Sequence, residues 1–432
     1  MTAQTAAHPT AARPPRSGAL TVTLCRDPAG FAGLAGEWDG LYRRCRSATP
    51  FQTHAWLHSW WLSYGVPGRL RLLLVRRQGR LVGAAPLILA HRPVPVLLPI
   101  GVGVSDFCDV LLDDSCAEAA AASLAHGLAA AAAGALVDLR EVRPGAAAER
   151  LFANWPGSKR RLPDSLCMEL PGRPVDELLN RMPSSSARRS RSKLRKLDIL
   201  GIEPRSVPER EVADALVTML RLHCLQWEGR GVTPEHRRPR FAEHLVRAVR
   251  QMVGTGDARV TEYVLEGRVV ATDVTLMSAE LSGGYLYGAH PDLRAAKADI
   301  NTMLLRHDAA HAAETGRSVV SLLRGNEEYK RHWRPVAVTN QRLLLSRPGL
   351  APALYLHAAQ VAARLLLVRV ARARLPALLA WRTRLNNWRA WGGGGGGAPP
   401  PPPPAPPPPP PPRPPPPRAG GGGGGVGEGG VF

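Results

Sequence analysis

Residues 285–316 read YLYGAHPDLRAAKADINTMLLRHDAAHAAETG, a strand, a short loop and a helix in succession. The strand pattern ends at Gly288, the loop carries Pro291 and Arg294, and a helical pattern of apolar residues follows. A helix N-terminus directly after a strand presents unpaired backbone N–H groups and the positive end of the helix dipole. Such a site suits an anion, and a diphosphate in particular. The stretch therefore predicts an α/β fold with an anion site at the end of a strand.

A weak internal repeat indicates that this unit occurs twice. Residues 78–84, QGRLVGA, match residues 266–272, EGRVVAT, at an offset of 188. Each copy has the pattern of a strand, a tight turn with glycine and a second strand, and a strand–helix–strand order follows each copy. We therefore expect two related α/β domains joined by a basic helix.

The domain boundaries follow from changes in composition along the chain. We expect a disordered lead (1–18), an N-terminal domain (19–170), a basic linker helix (171–205), a C-terminal domain (206–347), a basic helical extension (348–391) and a disordered Pro/Gly tail (392–432). The tail holds 17 of the 42 prolines and 15 of the 43 glycines, so it cannot pack a core.

Hydrophobic periodicity predicts the individual elements within these domains. Strands are expected at 20–24, 69–76, 81–90, 105–112, 135–140, 258–265, 269–277, 284–288 and 319–323. Helices are expected at 31–45, 53–64, 117–133, 184–200, 209–230, 238–252 and 303–315, with one or two more in 349–391.

The positive charge of the chain is concentrated in two segments. Lys and Arg total 56 against 35 Asp and Glu, which gives a formal net charge of +21. Residues 181–196 carry seven basic side chains and residues 351–391 carry seven arginines, both without an acid. The first segment either contacts a polyanion or is a solvated helix face. The second either lies on an anionic membrane surface or packs on the body of the protein.

Several classes of protein are not expected from this sequence. The chain has no run of about 20 uninterrupted apolar residues, so a membrane-spanning helix is not expected. Its six scattered cysteines form no CxxC pair, which is typical of reduced thiols in a cytoplasmic protein. No GxSxG, HExxH, P-loop or GxGxxG motif stands out, and Asp106 and Asp109 make no convincing metal site.

Residues 322–333, LLRGNEEYKRHW, begin at the end of a predicted strand and contain the densest cluster of reactive side chains. Acyl transfer needs a base for the attacking group, donors for the oxyanion and an acid for the leaving group. Glu327 is the candidate base and Tyr329 the candidate acid. Arg324 and Lys330 can bind a phosphate or a carboxylate. The structural alternative is a Tyr–Trp core pair together with an ion pair of Arg324 with Glu327 or Glu328.

Three segments carry a resemblance to a known family: residues 50–61 (PFQTHAWLHSWW), 222–231 (LHCLQWEGRG) and 322–333 (LLRGNEEYKRHW). They resemble the CelD-like family of cellulose and exopolysaccharide biosynthesis, which is related to the FemAB aminoacyl transferases. The loop at Pro291 and Arg294 also resembles the acyl-CoA loop of the GNAT acetyltransferase superfamily. Lys297 and Asp299 occupy the two glycine positions of that loop.

The resemblance implies tandem GNAT-like domains with mixed central sheets, and acetyl-CoA or another acyl-CoA as co-substrate with no metal. The implied cofactor-binding residues are Tyr287, Gly288, Arg294, Asn301 and Thr302. The implied substrate-binding residues are Gln52, Trp56, Trp227, Arg324 and Lys330. Trp56, Trp60 and Trp61 either form a sugar platform or belong to the core.

The leading functional hypothesis is N- or O-acyl transfer to a sugar, a polysaccharide precursor or an amine in exopolysaccharide or cellulose biosynthesis. A cytoplasmic location follows, or a peripheral one at the inner membrane through residues 351–391. One alternative is a FemAB-like aminoacyl transferase whose basic helix meets tRNA. The other is a non-catalytic assembly factor at the inner membrane surface.

Overall fold

The computed structural model describes residues 19–92, 94–227 and 233–374. Some of the sequence-based predictions lie outside these residues. They are the disordered lead at 1–18, the helix at 375–391, the Pro/Gly tail at 392–432, and residues 228–231 of the second family-like segment.

The strands of the described residues form one mixed sheet. In the N-terminal half they are β1 (Leu20–Cys25), β2 (Leu70–Arg77), β3 (Arg80–Arg92), β4 (Val94–Pro99), β5 (Leu111–Leu112), β6 (Leu136–Val142) and β7 (Ser158–Pro171). In the C-terminal half they are β8 (Glu203–Ser206), β9 (Ala258–Leu265), β10 (Arg268–Met277), β11 (Leu281–Ala289), β12 (Val319–Arg324) and β13 (Val336–Ser346).

Helices cover both faces of this sheet. Those of the N-terminal half are α1 (Pro28–Gly33), α2 (Ala35–Arg43), α3 (His54–Tyr64), α4 (Ala117–Ala132) and α5 (Ala147–Ala153). Those of the linker and the C-terminal half are α6 (Val175–Leu179), α7 (Ser184–Leu200), α8 (Val212–Gln226), α9 (Pro239–Thr255), α10 (Pro291–Ala295), α11 (Ile300–Glu314) and α12 (Glu328–His332). The extension contributes α13 (Ala351–Arg374).

The order of the strands shows that the two halves have the same topology and exchange their last strands. The order is β1-β2-β3-β4-β6-β13-β7-β12-β11-β10-β9-β8, with β5 paired to β3. The last strand of the C-terminal half, β13, pairs with β6 of the N-terminal half. The last strand of the N-terminal half, β7, pairs with β12 of the C-terminal half. The predicted mixed α/β architecture of two tandem domains is confirmed, and the sheet runs through both.

The two hairpins of the sequence repeat have the same backbone conformation. Gln78 and Gly79 have φ of 51° and 81°, and Glu266 and Gly267 have φ of 51° and 75°. Positive φ at both central residues defines a type I′ turn, which fits the twist of a hairpin. Each hairpin then has a bulge, because pairing passes over Val82 in one and Val270, 188 residues later, in the other.

The segment at 105–112, predicted as a strand, is strand only at Leu111–Leu112. Its backbone groups bond elsewhere: the Cys108 N–H donates to the Glu141 carbonyl (2.9 Å). The Asp109 carboxylate accepts from the N–H groups of Ala147 (2.9 Å) and Ala148 (2.7 Å), at the start of α5. The prediction was wrong because buried alternating side chains also occur in a loop that is held by its own polar groups.

Other differences from the predicted elements come from contacts that are distant in sequence. The helix expected at 31–45 is divided at Leu34 into α1 and α2. Strands β4, β7, β8 and β13 were not predicted. β7 contains Pro163 and ends at Pro171, and it becomes a strand because β12 and β13 lie on either side of it.

The first turns of α13 pack on the sheet. Leu354 is fully buried, and Ala358 and Val361 are 9% and 7% exposed. Further along, Leu366 and Leu367 are 62% and 68% exposed. By length and composition alone, the helix over Pro348–Val368, with a mean hydropathy of 1.3, is long and apolar enough to cross a membrane. The sequence predicted no membrane-spanning helix here because Arg364 interrupts the apolar run.

Candidate functional site

The site lies where strands β11 and β12 separate. They pair in parallel only over Leu281–Gly283 and 319–321. Leu323 then adopts a φ of 56°, and the register between β12 and β7 shifts before Arg324. β12 therefore turns towards β7 and leaves a cavity of about 600 Å³, which we call the wedge cavity.

Both faces of the sheet contribute walls to the wedge cavity, so the opening passes through the sheet. His223, Trp227 and His236 line it on the side of α8, and Asn301, Leu304 and Asp308 line it on the side of α11. Leu286, whose side chain packs with the core of α8 and α9, also lines it.

A bulge in β11 lies at this opening. Thr275 of β10 pairs with Gly284 and Val274 pairs with Leu286, so Tyr285 is an extra residue in the ladder. A bulged residue is left out of the regular ladder of hydrogen bonds. The Tyr285 hydroxyl donates to the Val104 carbonyl (2.9 Å), which ties the bulge to the N-terminal half.

Lys330 places a cation in the cavity wall. Lys330 is 4% exposed. Its Nζ donates a hydrogen bond to the Arg324 carbonyl (2.8 Å) and forms an ion pair with Glu327 Oε2 (2.9 Å). An ammonium has three N–H donors, so one remains for a ligand. The Glu327 carboxylate lies so close to Gly325, which has a φ of 127°, that a Cβ there would overlap it.

Arg324 joins the cavity to the N-terminal half. Its guanidinium pairs with Asp106 (2.5 Å) and Glu141 (3.2 Å). The predicted structural alternative, in which Arg324 pairs with Glu327 or Glu328, is therefore wrong. Burial lowers the pKa of Arg324, but the charges of its two carboxylate partners outweigh burial and raise it above its usual range.

A pair of buried carboxyl groups, which sequence reasoning missed, lies in the same cavity. Asp273 on β10 and Asp308 on α11 are 2% and 8% exposed. The Thr275 hydroxyl lies 2.7 Å from Asp308 Oδ1 and 3.2 Å from Asp273 Oδ2. Among the described residues, Asp273 Oδ1 has no hydrogen-bond partner. An acidic residue inside the otherwise apolar or hydroxyl-bearing strand VVATDVTLM is the signal that could have found it.

Burial dominates the protonation of this pair. It raises the pKa of Asp308 to about 6. It raises the pKa of Asp273 well above the usual value, and the neighbouring charge of Asp308 adds to the effect. Two carboxyl groups that share one site resist simultaneous ionisation.

The structure brings seven of the predicted site residues to the walls of the wedge cavity. These are Trp227, Tyr287, Asn301, Arg324, Glu327, Tyr329 and Lys330.

The remaining predicted site residues lie elsewhere. Gln52 is 1% exposed and Trp56 fully buried, and both use their polar groups within the N-terminal half. Gly288 packs against the backbone of α8. Arg294 is exposed on α10, and the Thr302 N–H donates to Asp299 at the start of α11.

The predicted diphosphate position at the start of α11 is taken by the chain itself. Asp299 Oδ1 accepts from the Thr302 N–H (2.9 Å), so the side chain caps the helix. Asp299 also pairs with Lys193 of α7 (2.7 Å). Lys297, in place of a loop glycine, has a φ of 54°. A carboxylate at the helix N-terminus repels a diphosphate, so these residues do not fit the usual acyl-CoA loop.

The arrangement defines a GNAT-type acyltransferase fold, and comparison with known proteins agrees. Residues 184–331 match the family model described as "Acetyltransferase (GNAT) domain". No curated protein sequence matches the chain.

Solved structures resemble the whole tandem fold at low sequence identity. The crystal structure of FemX aligns with a TM-score of 0.53 at 14% identity, over 72% of this chain and 95% of FemX. A conserved protein of unknown function from Bacteroides thetaiotaomicron aligns with a TM-score of 0.50 at 11% identity, over 76% of this chain and all of that one. The C-terminal domain of a protein assigned as a lysylphosphatidylglycerol synthetase from Agrobacterium fabrum aligns with a TM-score of 0.49 at 13% identity, over 78% and 97%. At these identities the likeness concerns the fold alone.

Proposed function

We propose that this protein is an acyltransferase whose reaction takes place in the wedge cavity of its C-terminal half. The observation that carries the proposal is the opening between β11 and β12, where the bulge at Tyr285 and the buried ammonium of Lys330 line one cavity. Acyl transfer builds negative charge on the carbonyl oxygen of the donor, and fixed donors in a site shielded from water stabilise that charge.

The side chains of the LLRGNEEYKRHW segment supply the proton transfers. Glu327, held by Lys330, accepts the proton of the attacking amine or hydroxyl, directly or through a water. Tyr329 is 42% exposed and lines the same cavity. A tyrosine hydroxyl is protonated at neutral pH, so Tyr329 serves as the acid for the leaving group. Lys330 stabilises the oxyanion of the tetrahedral intermediate.

The donor we favour is an acyl group on a polyanionic carrier, as in the FemAB-like alternative with aminoacyl-tRNA. Helix α7 packs against α11, and its exposed face carries Arg188, Arg189, Arg191 and Arg195. Among the described residues none of these four pairs with a carboxylate, and Asp299 excludes a diphosphate from the start of α11. An array of arginines without carboxylate partners, on a helix that packs against a helix of the cavity wall, suits a nucleic-acid backbone.

Binding measurements on the full chain test this choice of donor. We expect tRNA to bind with an affinity that falls steeply with salt, and a charge reversal at Arg188 and Arg195 to reduce it at least tenfold. Reversal at Arg77 and Arg347, exposed arginines outside α7, is the matched control. Equal losses in both double variants, or no tRNA binding at low salt, would contradict the tRNA donor.

An acyl-CoA donor is the second candidate, and the match of residues 184–331 to the GNAT family favours it. Isothermal titration with acetyl-CoA decides between the two. Heat at micromolar acetyl-CoA would support the second candidate. No heat at millimolar acetyl-CoA would rule out the acyl-CoA donor and leave a polyanionic carrier bound at α7 as the proposed donor.

The acceptor we propose is a sugar or polysaccharide precursor, or an amine, close to the inner membrane surface. The exposed Leu366 and Leu367 of α13, with Arg364 beside them, give the helix an apolar surface and a positive charge. Sedimentation with anionic vesicles tests this location. We expect binding to be lost when both leucines become glutamate. A protein that supports exopolysaccharide assembly unchanged with Lys330→Met would instead be the non-catalytic assembly factor.

A further inference from the structure

The carboxyl groups of Asp273 and Asp308 have no role in the mechanism above, and they lack a cationic partner. Arg259 on β9 is the cation whose charge acts on both, yet it forms no ion pair with either among the described contacts. The Tyr263 hydroxyl, also on β9, faces Asp273 without a hydrogen bond of normal geometry. Buried carboxyl groups are normally paired or hydrogen-bonded throughout, because an unpaired charge away from water is costly.

The position of the pair indicates that a ligand completes it. Asp308 lies against β11 at the opening, since a Cβ on Gly284 would come within 3.0 Å of Asp308 Oδ2. Both carboxyl groups line the wedge cavity, and Asp273 Oδ1 is buried and unpartnered. Two carboxyl groups that line a cavity and have no cation of their own suit a group that brings several N–H donors and a positive charge.

We propose that Asp273 and Asp308 bind the alkylammonium group of a substrate inside the wedge cavity. This inference rests on the proposed function and narrows it, because the reacting molecules must then include a primary amine. That amine belongs either to the transferred acyl group, as in an aminoacyl ester, or to the acceptor. The ammonium donates hydrogen bonds to the carboxylates of Asp273 and Asp308, and the Thr275 hydroxyl lies within hydrogen-bond distance of both.

Small amines and their neutral counterparts test the site on the full chain without any transfer reaction. We would titrate glycinamide against glycolamide, and propylamine against propanol, at pH 7, where both amines are largely protonated. We expect each amine to bind at least tenfold more tightly than its alcohol. Stronger binding of glycinamide than propylamine would assign the site to an aminoacyl group, and the reverse order would assign it to the acceptor. Equal affinities of amines and alcohols would overturn the inference.

Variants separate this pair from other acidic groups in the cavity. Asp273→Asn and Asp308→Asn should each remove most of the preference for amines. Glu235→Gln is the matched control, because Glu235 lines the same cavity but is already held by Arg240 (2.7 Å). An unchanged preference in both aspartate variants, or an equal loss in the control, would contradict the assignment.

A measurement on the unaltered protein covers the case in which a variant does not fold. Near pH 6 the pair holds a proton that an ammonium must displace. The heat of amine binding at pH 6 should then depend on the ionisation enthalpy of the buffer, whereas absence of proton release would oppose the site. Arg259 and Tyr263 are the other titratable groups that face the pair, and burial raises the pKa of Tyr263 well above its usual value, so Tyr263 keeps its proton at this pH.

The outcomes also distinguish this inference from the proposed function. A protein that prefers amines but transfers no acyl group would retain the ammonium site and lose the acyltransferase proposal. A protein that transfers acyl groups yet binds alcohols as well as amines would retain the proposal and lose the site.

Discussion

The two halves of the sheet contain an equivalent pair of short parallel strands, and the gap beyond this pair differs between the halves. In the N-terminal half β4 and β6 pair only at Val96–Leu136 and Leu97–Val137, as β11 and β12 do in the C-terminal half. The loop after β4 then bonds to β6 through Cys108. In the C-terminal half the corresponding gap is the wedge cavity. In one half the gap is filled by packing, and in the other it stays open as the wedge cavity.

Buried carboxylates show the same contrast. Asp138 on β6 is fully buried and is bonded by Arg342 (2.7 Å), Arg140 (2.9 Å) and His357 (3.2 Å). Burial raises its pKa, but the hydrogen bonds from His357 and Arg342 outweigh burial and hold it below the usual range. Asp273 and Asp308 are as well buried but lack such partners, and their pKa values are raised. The full set of partners around Asp138 fits a structural role, and the missing cationic partners of Asp273 and Asp308 support the ligand site proposed above.

The largest effect should come from breaking the partnered carboxylate. Asp138→Asn leaves Arg342 and Arg140 without their counter-charge, so we expect a loss of about 3–5 kcal/mol in the free energy of unfolding. Urea denaturation at pH 7 measures it, with the exposed Asp176→Asn as control.

The pH dependence of the Asp138 contribution follows from its lowered pKa. The unfolded chain takes up a proton at a higher pH than the folded protein, so the contribution is complete above about pH 4 and falls away as the pH drops further. A loss below 1 kcal/mol at pH 7 would show that Asp138 is not structural and would break the contrast between the halves.

Lys330 should have the next largest effect, on rate instead of stability. Lys330→Met removes the cationic donor from the cavity while keeping its volume, so we expect kcat to fall about 100- to 1000-fold. The measurement is single-turnover acyl transfer with the donor identified by the binding experiments. Lys159→Met is the matched control, because Lys159 donates to the carbonyls of Phe152 (2.8 Å) and Ala153 (2.9 Å) in the N-terminal half. A similar loss of rate in both variants would place the reaction elsewhere.

Removing the charge of a buried carboxylate that has no cationic partner should stabilise the protein. Because the pKa of Asp308 is raised to about 6, the folded protein holds its proton at a higher pH than the unfolded chain. Stability is therefore lost as the pH rises from about 4 to about 6. Asp308→Asn should remove this slope and add about 2–3 kcal/mol at pH 7, with no change at pH 4. Thermal or urea unfolding at the two pH values checks it, and a destabilised variant at pH 7 would make Asp308 structural.

The sequence predicted what short segments determine. The repeat at 78–84 and 266–272 predicted two matching hairpins because turn conformation depends on a few adjacent residues. The prediction that the LLRGNEEYKRHW segment contributes to the site agrees with its place in the cavity wall, because its charged residues follow directly after a strand.

The features that were missed depend on partners far along the chain. Asp299 at a glycine position of the loop was visible in the sequence, but its ion pair with Lys193, 106 residues earlier, is invisible to local patterns. In the exchange of β7 and β13, each strand pairs with the other half of the sheet. The hydrophobic periodicity of a strand does not predict its pairing partner. Gln52 and Trp56 lie in a family-like motif, yet the polar groups of both serve the core.

The smallest predicted effect concerns the feature that the two halves share. Gly79 and Gly267 hold the same position in the two type I′ turns, with φ of 81° and 75°. A Cβ at either would meet no atom within 4 Å, so only backbone strain opposes alanine. We expect Gly79→Ala and Gly267→Ala each to lose about 1 kcal/mol of unfolding free energy, since an L-residue with a Cβ resists this region.

The sign of the change separates strain from the other effects of glycine replacement. Gly36→Ala is the control, because Gly36 lies inside α2 with open space around it and should gain up to about 1 kcal/mol. Equal losses at the two turns would mean that the hairpins contribute alike, and that the halves differ in stability only at their gaps. A loss at Gly267 more than about 1 kcal/mol beyond that at Gly79 would show instead that the open half depends more on its hairpin. The loss of unfolding free energy caused by the wedge cavity would then extend along strand β10, which carries Asp273.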